Sequence, residues 1–423
     1  MAEAAKSGMA AGDTDDAAAA PARVAELRTQ LLRRAKDAVL GAVHAPPGAA
    51  AGGVAAGGVA AGEVAARAAL ATLAEHGLLS YSIPESGGGA ALHGLARPDD
   101  VSVRALAWLR DELAYGDGLL DLMLVMQGLG SYPLARAGDP ALARPILADV
   151  VAGRRIAGYC LTEPGAGSSL DEVATTAVRM GGGWQLDGLK TFISNAPIAD
   201  FFTVLARTAG APGDRCPGGL SMFYVPRATA GVRVEAFEVI APHPIGEVHF
   251  DAVRVENGWL LGQEGAGLDL ALATLSRFRT TVAAAANGFA RRALDESRRH
   301  LASRRQFGRA LGDNQGLRFD LAEMDTRLRA AQLLVAEAAA CVDSGVDAGL
   351  EVARAKLFAT EVAGWICDRA VQHHGGRGVR RGEVVESLYR EVRSLRIYEG
   401  ASEIQKLILG KLILARVGET PAG

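Results

Sequence analysis

The chain has 423 residues, with 45 Lys and Arg against 48 Asp and Glu and a formal net charge of −3 at pH 7. This near balance excludes a protein that binds nucleic acid or an anionic membrane mainly through its charge. No apolar run reaches the ~18 residues needed to span a bilayer, and the N-terminus lacks the pattern of a secretory signal. The four scattered cysteines form no CxxC pair, which predicts reduced thiols and a cytoplasmic location.

The first part of the chain divides at about residue 62. Residues 1–62 are rich in Ala and Gly and are predicted to be a low-complexity extension, mobile from about 45 to 62. Apolar positions at helical spacing indicate one helix over residues 24–39. Residues 63–156 are predicted to form an N-terminal helical domain, interrupted by turn-forming residues at 82–89.

Residues 157–256 change in character and predict a middle β domain. Gly, Pro and Asp clusters separate short segments of strand composition, a spacing typical of an antiparallel sandwich or barrel. These segments are residues 184–186, 201–206, 221–225, 232–240 and 248–255.

Residues 265–418 return to a helical pattern. Three long stretches lie at about 268–303, 314–343 and 347–374, and a last pair lies around 384–397 and 402–416. The order is therefore helical, β, helical, an α+β arrangement of several domains. Because strands and helices do not alternate, a doubly wound nucleotide-binding fold is not expected.

Glu399 is the carboxylate that the sequence singles out. It lies just before the last predicted helix, where Ser402 and Gln405 have the spacing of a capping box. Gly400 follows it, so a ligand could approach a carboxylate held on this turn closely. A pocket there could also tune its protonation.

The segment Tyr159–Ser168 is rich in glycine and hydroxyl groups. Gly165 and Gly167 allow close backbone approach to a ligand, and Thr162 and Ser168 supply hydroxyls. No Lys follows at the P-loop position, and the context is not that of a Rossmann fingerprint. No metal-ligand spacing is present, so no metal site is predicted; packing or ligand contact is expected for the His373-His374 doublet.

Taken with four further segments, this motif resembles the acyl-CoA dehydrogenase family. The resemblance runs from about residue 70 to 416, in the family's order and spacing. The matching segments are Tyr159–Ser168, Lys190–Asn195, Arg304–Gly308 with Gln315, Gln372–Gly378, and Leu388–Arg390 with Ile397–Gly400. It implies a C-terminal four-helix bundle and FAD as cofactor.

Roles follow from the resemblance residue by residue. Glu399 resembles the general base, which removes the α-proton of an acyl thioester while a hydride leaves the β-carbon for flavin N5. The substrate residues that it implies are Ser168, Ser276, Arg279 and Gly400. The FAD residues that it implies are Tyr159, Cys160, Leu161, Thr162, Gly167, Ser168, Phe192, Ile193, Ser194, Arg304, Gln306, Phe307, Gln315, Gln372, Gly375, Gly376, Ala401, Ser402 and Glu403.

Some related enzymes carry the base on the residue before the position of Arg279, and here that residue is Phe278. Phe cannot accept a proton, so Glu399 is the only candidate among these motifs. Four residues depart from the family's common pattern. Phe192 replaces Trp, Ser194 and Ala401 each replace Thr, and Ser169 replaces Asp.

The predicted function is oxidation of an acyl-CoA to the trans-2,3-enoyl-CoA, with electrons passed to an electron-transferring flavoprotein. In the family some FAD contacts come from a neighbouring subunit, which implies a homotetramer or homodimer. The alternatives are an acyl-CoA oxidase, an acyl-carrier-protein dehydrogenase, a flavin monooxygenase of the same fold, and a non-catalytic interaction protein. A base at Glu399 favours the dehydrogenase over the last two.

Overall fold

The computed structural model describes residues 13–43, 58–92, 94–214, 216 and 218–415, and it confirms the order helical, β, helical. No helix within those ranges is both long and apolar enough to cross a membrane. Most of the predicted mobile stretch, residues 44–57, lies outside the described residues.

Five helices build the N-terminal part. They are α1 (Asp13–Val43), α2 (Gly58–Glu75), α3 (Val103–Gly116), α4 (Gly118–Ala137) and α5 (Pro140–Val151). The helix predicted over residues 24–39 lies within α1, and α2 begins five residues before Glu63, where the helical pattern was expected to start. Asp117 begins α4 as its N-cap, since its carboxylate accepts a hydrogen bond from Leu119 N at 2.7 Å.

The middle part is one eight-stranded sheet. Its strands are β1 (Ala157–Cys160), β2 (Thr176–Met180), β3 (Gly183–Ser194), β4 (Phe201–Arg207), β5 (Leu220–Pro226), β6 (Val232–Ala236), β7 (Ile245–Glu256) and β8 (Leu260–Leu261). The strand order is β6-β7-β3-β2-β4-β5-β8, with β1 beside β4. Pairing is mainly antiparallel, but β1 and β2 each pair with β4 in parallel, which the antiparallel prediction missed.

Three strands went unpredicted for different reasons. β1 is a short, wholly buried segment without alternation, β2 is mostly exposed, and β8 has only two residues. The strand predicted to end at Ile240 ends at Ala236 instead, just before the segment that leads into β7. Alternation of buried and exposed residues, the main sequence signal for a strand, is weak in each of these places.

Five helices and a small hairpin form the C-terminal part. The helices are α6 (Gly267–Ser303), α7 (Gln315–Ser344), α8 (Gly349–His374), α9 (Val384–Leu395) and α10 (Ser402–Ala415), and the hairpin is β9 (Arg305–Gln306) with β10 (Arg309–Ala310). Small side chains let α6, α7 and α8 pack closely: the core they share contains Ala283–Ala286, Ala331 and Ala355.

The end of α7 is fixed to the start of α3 through Asp343. Its fully buried carboxylate accepts hydrogen bonds from Ser102 Oγ at 2.8 Å, Val103 N at 2.7 Å and Arg104 N at 3.1 Å, and pairs with Arg104 Nε at 3.0 Å. Burial raises the pKa of Asp343, and these donors oppose that shift. The contact ties the C-terminal helices to the N-terminal ones.

We expect Asp343→Ala to lower the free energy of unfolding by about 2 kcal/mol, because the N–H donors at the start of α3 lose a charged acceptor. The matched control is Asp325→Ala on the exposed face of α7, which should change it by less than about 0.5 kcal/mol. Denaturant unfolding followed by circular dichroism measures both. Equal effects of the two substitutions would show that the Asp343 contact adds nothing.

Candidate active site

The turn between α9 and α10 holds Glu399 in a strained conformation, with φ of 52° for Glu399 and 97° for Gly400. Contacts to its carbonyl groups keep it there. Arg279 Nε donates to Glu399 O at 2.7 Å, and Lys356 Nζ and Gln405 Nε2 donate to Gly400 O at 2.6 and 3.0 Å. The φ of Gly400 lies in the region that favours glycine, and a Cβ there would also force the Gln405 amide, 2.3 Å away, to move.

The capping box predicted for α10 is wrong. The helix begins at Ser402, but Ser402 Oγ donates to Glu361 Oε1 at 2.5 Å and Gln405 uses its amide on Gly400. Both side chains therefore bond outside the first turn of their own helix. Of the predicted cofactor residues here, Ser402 is buried and engaged with Glu361, Ala401 is half-buried and Glu403 is exposed.

The Glu399 carboxyl group is half-buried, and its Oε2 atom is buried with no hydrogen-bond partner among the described residues. Burial raises the pKa of Glu399, while the nearby cations Arg110, Arg279 and Lys356 oppose the rise. Buried polar atoms are nearly always hydrogen-bonded in folded proteins, and unpaired ones with shifted pKa values concentrate at functional sites.

Arg110, which the sequence did not single out, forms a buried ion pair with Asp121 near this turn. Arg110 Nε and Nη2 lie 2.7 and 2.8 Å from the two Asp121 oxygens, and Nη1 donates to Thr281 Oγ1 at 2.9 Å. Burial alone would lower the pKa of Arg110, but Asp121 outweighs it and the pKa is raised. Arg110 is one of four charged residues in α3, so the signal available in the sequence was Asp121, which is surrounded by apolar residues in the first half of α4.

Lys356 was also missed. Its side chain is fully buried within α8, and burial lowers its pKa to about 8, opposed mainly by the negative charge of Glu399.

Phe278, the residue that excludes the alternative base, is fully buried and packs edge-on against Tyr132 at 6.0 Å between ring centres. No carboxylate stands in its place, as the sequence already shows.

The structure brings two of the predicted FAD segments together at the end of β1. Thr191 N in β3 donates to Thr162 O at 2.9 Å, so the two segments lie side by side. A Cβ at Gly165 or Gly167 would meet nothing within 4 Å. The glycines are thus not required by packing within the chain, and the backbone there is open to a ligand.

A buried ion pair holds this open segment in place. Lys190 Nζ lies 2.7 Å from Glu163 Oε1 and donates to Leu161 O at 3.0 Å, while Glu163 accepts hydrogen bonds from Ala174 N and Thr175 N. The lysine lowers the pKa of Glu163 despite its burial. The ion pair therefore fixes the start of the glycine-rich turn. The sequence alone did not indicate that Lys190 and Glu163 form a pair.

The predicted FAD residues of β1 and β3 differ in what they expose. Cys160, Leu161 and Ile193 bury their side chains, so only their backbone is available to a ligand. Tyr159 is buried too, and burial raises the pKa of its hydroxyl group. By contrast, the Phe192 ring is exposed, with its backbone at φ 55°.

Ser194 lies near the segment that precedes β7. Its Oγ is 3.4 Å from His243 Nε2, and burial lowers the pKa of His243 to about 4, so this imidazole is neutral at pH 7. Ser168 and Ser276, both predicted to contact substrate, are exposed.

A second group of predicted FAD residues lies elsewhere, at one end of the helical bundle. All its members are exposed, and they are Arg304, Gln306, Phe307, Gln315, Gln372, Gly375 and Gly376. Stacking of His300 on His374 at 4.2 Å joins the ends of α6 and α8 there, and His373 Nε2 lies 3.2 Å from Asp320. Arg304 follows Arg279 by 25 residues along α6, or about 37 Å, so one chain does not bring the two groups together.

The helical–β–helical fold combines a half-buried carboxylate with an open glycine-rich strand end, features that suit an enzyme of the flavin-dependent oxidoreductase class. Residues 158–253 match the acyl-CoA dehydrogenase middle domain and residues 265–414 the acyl-CoA dehydrogenase C-terminal domain. The chain belongs to the acyl-CoA dehydrogenase family.

Similar proteins and solved structures also support membership of this family. Cyclohexane-1-carbonyl-CoA dehydrogenase of Geobacter metallireducens is 34% identical over 82% of this chain and 88% of the relative. The caffeyl-CoA reductase-Etf complex subunit CarC of Acetobacterium woodii is 34% identical over 81% and 89%. The solved structure of butyryl-CoA dehydrogenase from Megasphaera elsdenii matches with a TM-score of 0.80 and 27% identity over 92% of this chain and 98% of that one.

Proposed function

We propose that the chain oxidises an acyl-CoA thioester to the trans-2,3-enoyl-CoA with FAD, and that Glu399 is the base. The observation that carries this proposal is the unpaired, buried Oε2 atom of Glu399 on a turn fixed by Arg279 and Lys356. A carboxylate with a raised pKa and no hydrogen-bond partner suits proton abstraction from a weakly acidic carbon. FAD would supply the acceptor for the hydride that leaves the β-carbon.

The Glu399 turn could also stabilise the negative charge that develops on the thioester oxygen. Among the described residues, none accepts a hydrogen bond from the backbone N–H of Glu399. Its carbonyl group is occupied by Arg279, which fixes the peptide plane. A preorganised donor aimed at a developing oxyanion is worth roughly 3 kcal/mol, so one residue would supply both base and oxyanion donor.

The residues present fit FAD. Around the isoalloxazine we place the exposed ring of Phe192, the hydroxyl groups of Thr162, Ser168 and Ser194, and the open backbone at Gly167. The exposed group at the far end of the bundle would hold the pyrophosphate and adenosine through Arg304, Gln315 and Gln372. Arg279, Ser276, Ser168 and Gly400 would meet the substrate.

Because about 37 Å of helix separates Arg279 from Arg304, the second group would serve the site of another subunit. We therefore propose a homo-oligomer, a homotetramer or homodimer, in which FAD binds between subunits. Phe307 supports this, since its fully exposed side chain on the β9–β10 hairpin has no packing partner among the described residues. Apolar side chains exposed to this extent often mark interfaces.

We propose an electron-transferring flavoprotein as the acceptor, supported by the relative whose name places it in a complex with Etf. The test is the purified protein loaded with FAD and mixed anaerobically with acyl-CoA substrates. Bleaching of the flavin, followed by reoxidation with electron-transferring flavoprotein but slow reoxidation by air, is the expected result. Rapid reoxidation by air would indicate an oxidase, and a protein that takes up no FAD would overturn the proposal.

A further inference from the structure

A pocket lies beside the Glu399 turn, between the elements that carry the candidate base and the predicted flavin strand. It is walled by α4, α6, α9 and the segment before β7, and Tyr398, the neighbour of Glu399, is part of its wall. On another side stands His243, which contacts Ser194 of β3. A pocket in this place is suited to the acyl group of the substrate.

Most of the wall is apolar, with side chains that include Leu119, Leu122, Phe289 and Leu395. The polar residues of the wall include His243, Ser394, Tyr398 and Asp121, which is paired with Arg110. Glu391 of α9 is the other carboxylic acid of the wall. No residue in the described part of the chain donates a hydrogen bond to its carboxyl group or forms an ion pair with it. The carboxyl packs against the first turn of α4, since a Cβ at Gly118 would lie 3.3 Å from Glu391 Cδ.

The groups that face Glu391 determine its charge. Burial, together with the negative charges of Asp117 and Asp121, raises its pKa to about 8, and Arg390 on its own helix opposes the rise. Tyr398 also faces it and remains protonated, because burial raises the pKa of that hydroxyl group. At pH 7 Glu391 is therefore mainly a neutral carboxylic acid, able both to donate and to accept a hydrogen bond.

This neutral acid favours an acyl group that carries a hydroxyl group over a plain hydrocarbon chain and over one that carries a carboxylate. A plain hydrocarbon chain that filled the pocket would displace water from the acid and leave it without a hydrogen-bond partner, which is unfavourable. A second carboxylate on the acyl group would lie near the carboxylate of Asp117, which already acts on Glu391, and like charges repel. A hydroxyl group would satisfy the acid in both directions at no cost in charge.

We propose that Glu391 is a specificity-determining residue that selects acyl thioesters carrying an uncharged hydroxyl group away from the thioester. This inference rests on the proposed dehydrogenation. Glu391 would act only through binding of the acyl group, and Glu399 would still remove the α-proton.

The test compares three series of CoA thioesters of matched chain length: plain acyl, ω-hydroxyacyl and ω-carboxyacyl. The holoenzyme should prefer the hydroxyacyl over the plain compound by roughly ten-fold in kcat/KM at the best length, with the carboxyacyl compound the poorest. Glu391→Leu should abolish or reverse that preference. Glu391→Gln should keep it, because an amide also donates and accepts.

The outcomes separate the two proposals. If plain acyl-CoA reduces the flavin but the hydroxyl group gives no advantage at any length, the role of Glu391 fails and the proposed function stands. If no thioester reduces the flavin or perturbs its spectrum, both fail. FAD absorbance reports whether each variant is folded. If Glu391→Leu does not retain FAD, the test of Glu391 is the ranking of the three thioester series by the wild-type enzyme, and whether Glu391→Gln keeps that ranking.

Discussion

Replacement of Glu399 by Gln is expected to leave FAD uptake and acyl-CoA binding intact and to slow flavin reduction roughly 10³-fold. Gln has nearly the same shape but cannot accept the α-proton. The contacts that hold the turn reach the backbone oxygens of Glu399 and Gly400, from Arg279 and Lys356. They are unchanged by the substitution, so the loss would report on proton transfer alone.

Stopped-flow bleaching of the flavin under anaerobic conditions measures this effect. Glu337→Gln, an exposed site on α7, makes the same chemical change away from the site and should reduce the flavin at the wild-type rate. Near-normal reduction by Glu399→Gln would remove Glu399 from the role of base. Loss of FAD from that variant would instead assign it a structural role.

The pH dependence of the same step gives an independent check. Burial raises the pKa of Glu399 above its usual range, and only the ionised carboxylate can accept a proton. The rate of flavin reduction should therefore rise with pH through that raised pKa and level off above it. A wild-type rate that is flat across this range would contradict titration of the base, whereas the residual rate of Glu399→Gln should lack this ionisation.

The order of the helical and β regions could be predicted because the long helices and most strands carry strong periodic patterns. Helix α6, expected over residues 268–303, is observed at Gly267–Ser303. Strand β1 could not be predicted from such patterns. Its four residues are all buried, so they have no alternation, and β1 pairs with β4, more than 40 residues further along the chain.

The candidate site was predictable only in part. Residues marked by a local sequence pattern could be found, and residues whose role depends on burial or on distant partners could not. Glu399 could be found because its turn precedes a helix and belongs to a motif. Lys356 and the Arg110–Asp121 pair could not, because their importance depends on burial and on partners distant in sequence. The same holds for the capping box, since Ser402 Oγ donates to Glu361, which lies 41 residues away in the chain, and Gln405 N donates to Ala401 O.

The missed cations Arg110 and Lys356, together with the predicted Arg279, explain how a half-buried carboxylate at the turn can still remain available. Arg110, Arg279 and Lys356 each favour the ionised form of Glu399, while burial favours the protonated form. None of the three donates a hydrogen bond to its carboxylate oxygens. The proposed base would thus be stabilised through space, and no hydrogen bond from these cations would have to be broken before it accepted the α-proton.

Replacement of Lys190 by Met is expected to be the most damaging change outside the Glu399 turn. It would leave the buried carboxylate of Glu163 without its cation, a loss that typically costs about 3–5 kcal/mol of the free energy of unfolding. Lys190 also donates to Leu161 O, at the base of the open glycine-rich segment. The variant should therefore lose FAD as well as stability, seen in its flavin absorbance and its denaturant midpoint.

Two further variants test whether the loss of charge causes the instability of Lys190→Met. Arg254→Met removes an exposed cation from β7 of the same sheet and should change stability by less than about 0.5 kcal/mol. The double variant Lys190→Met with Glu163→Gln should be more stable than Lys190→Met alone, because it no longer buries an unpaired charge. A double variant as unstable as the single one would mean that the methylene chain of Lys190, and not its charge, supports the segment.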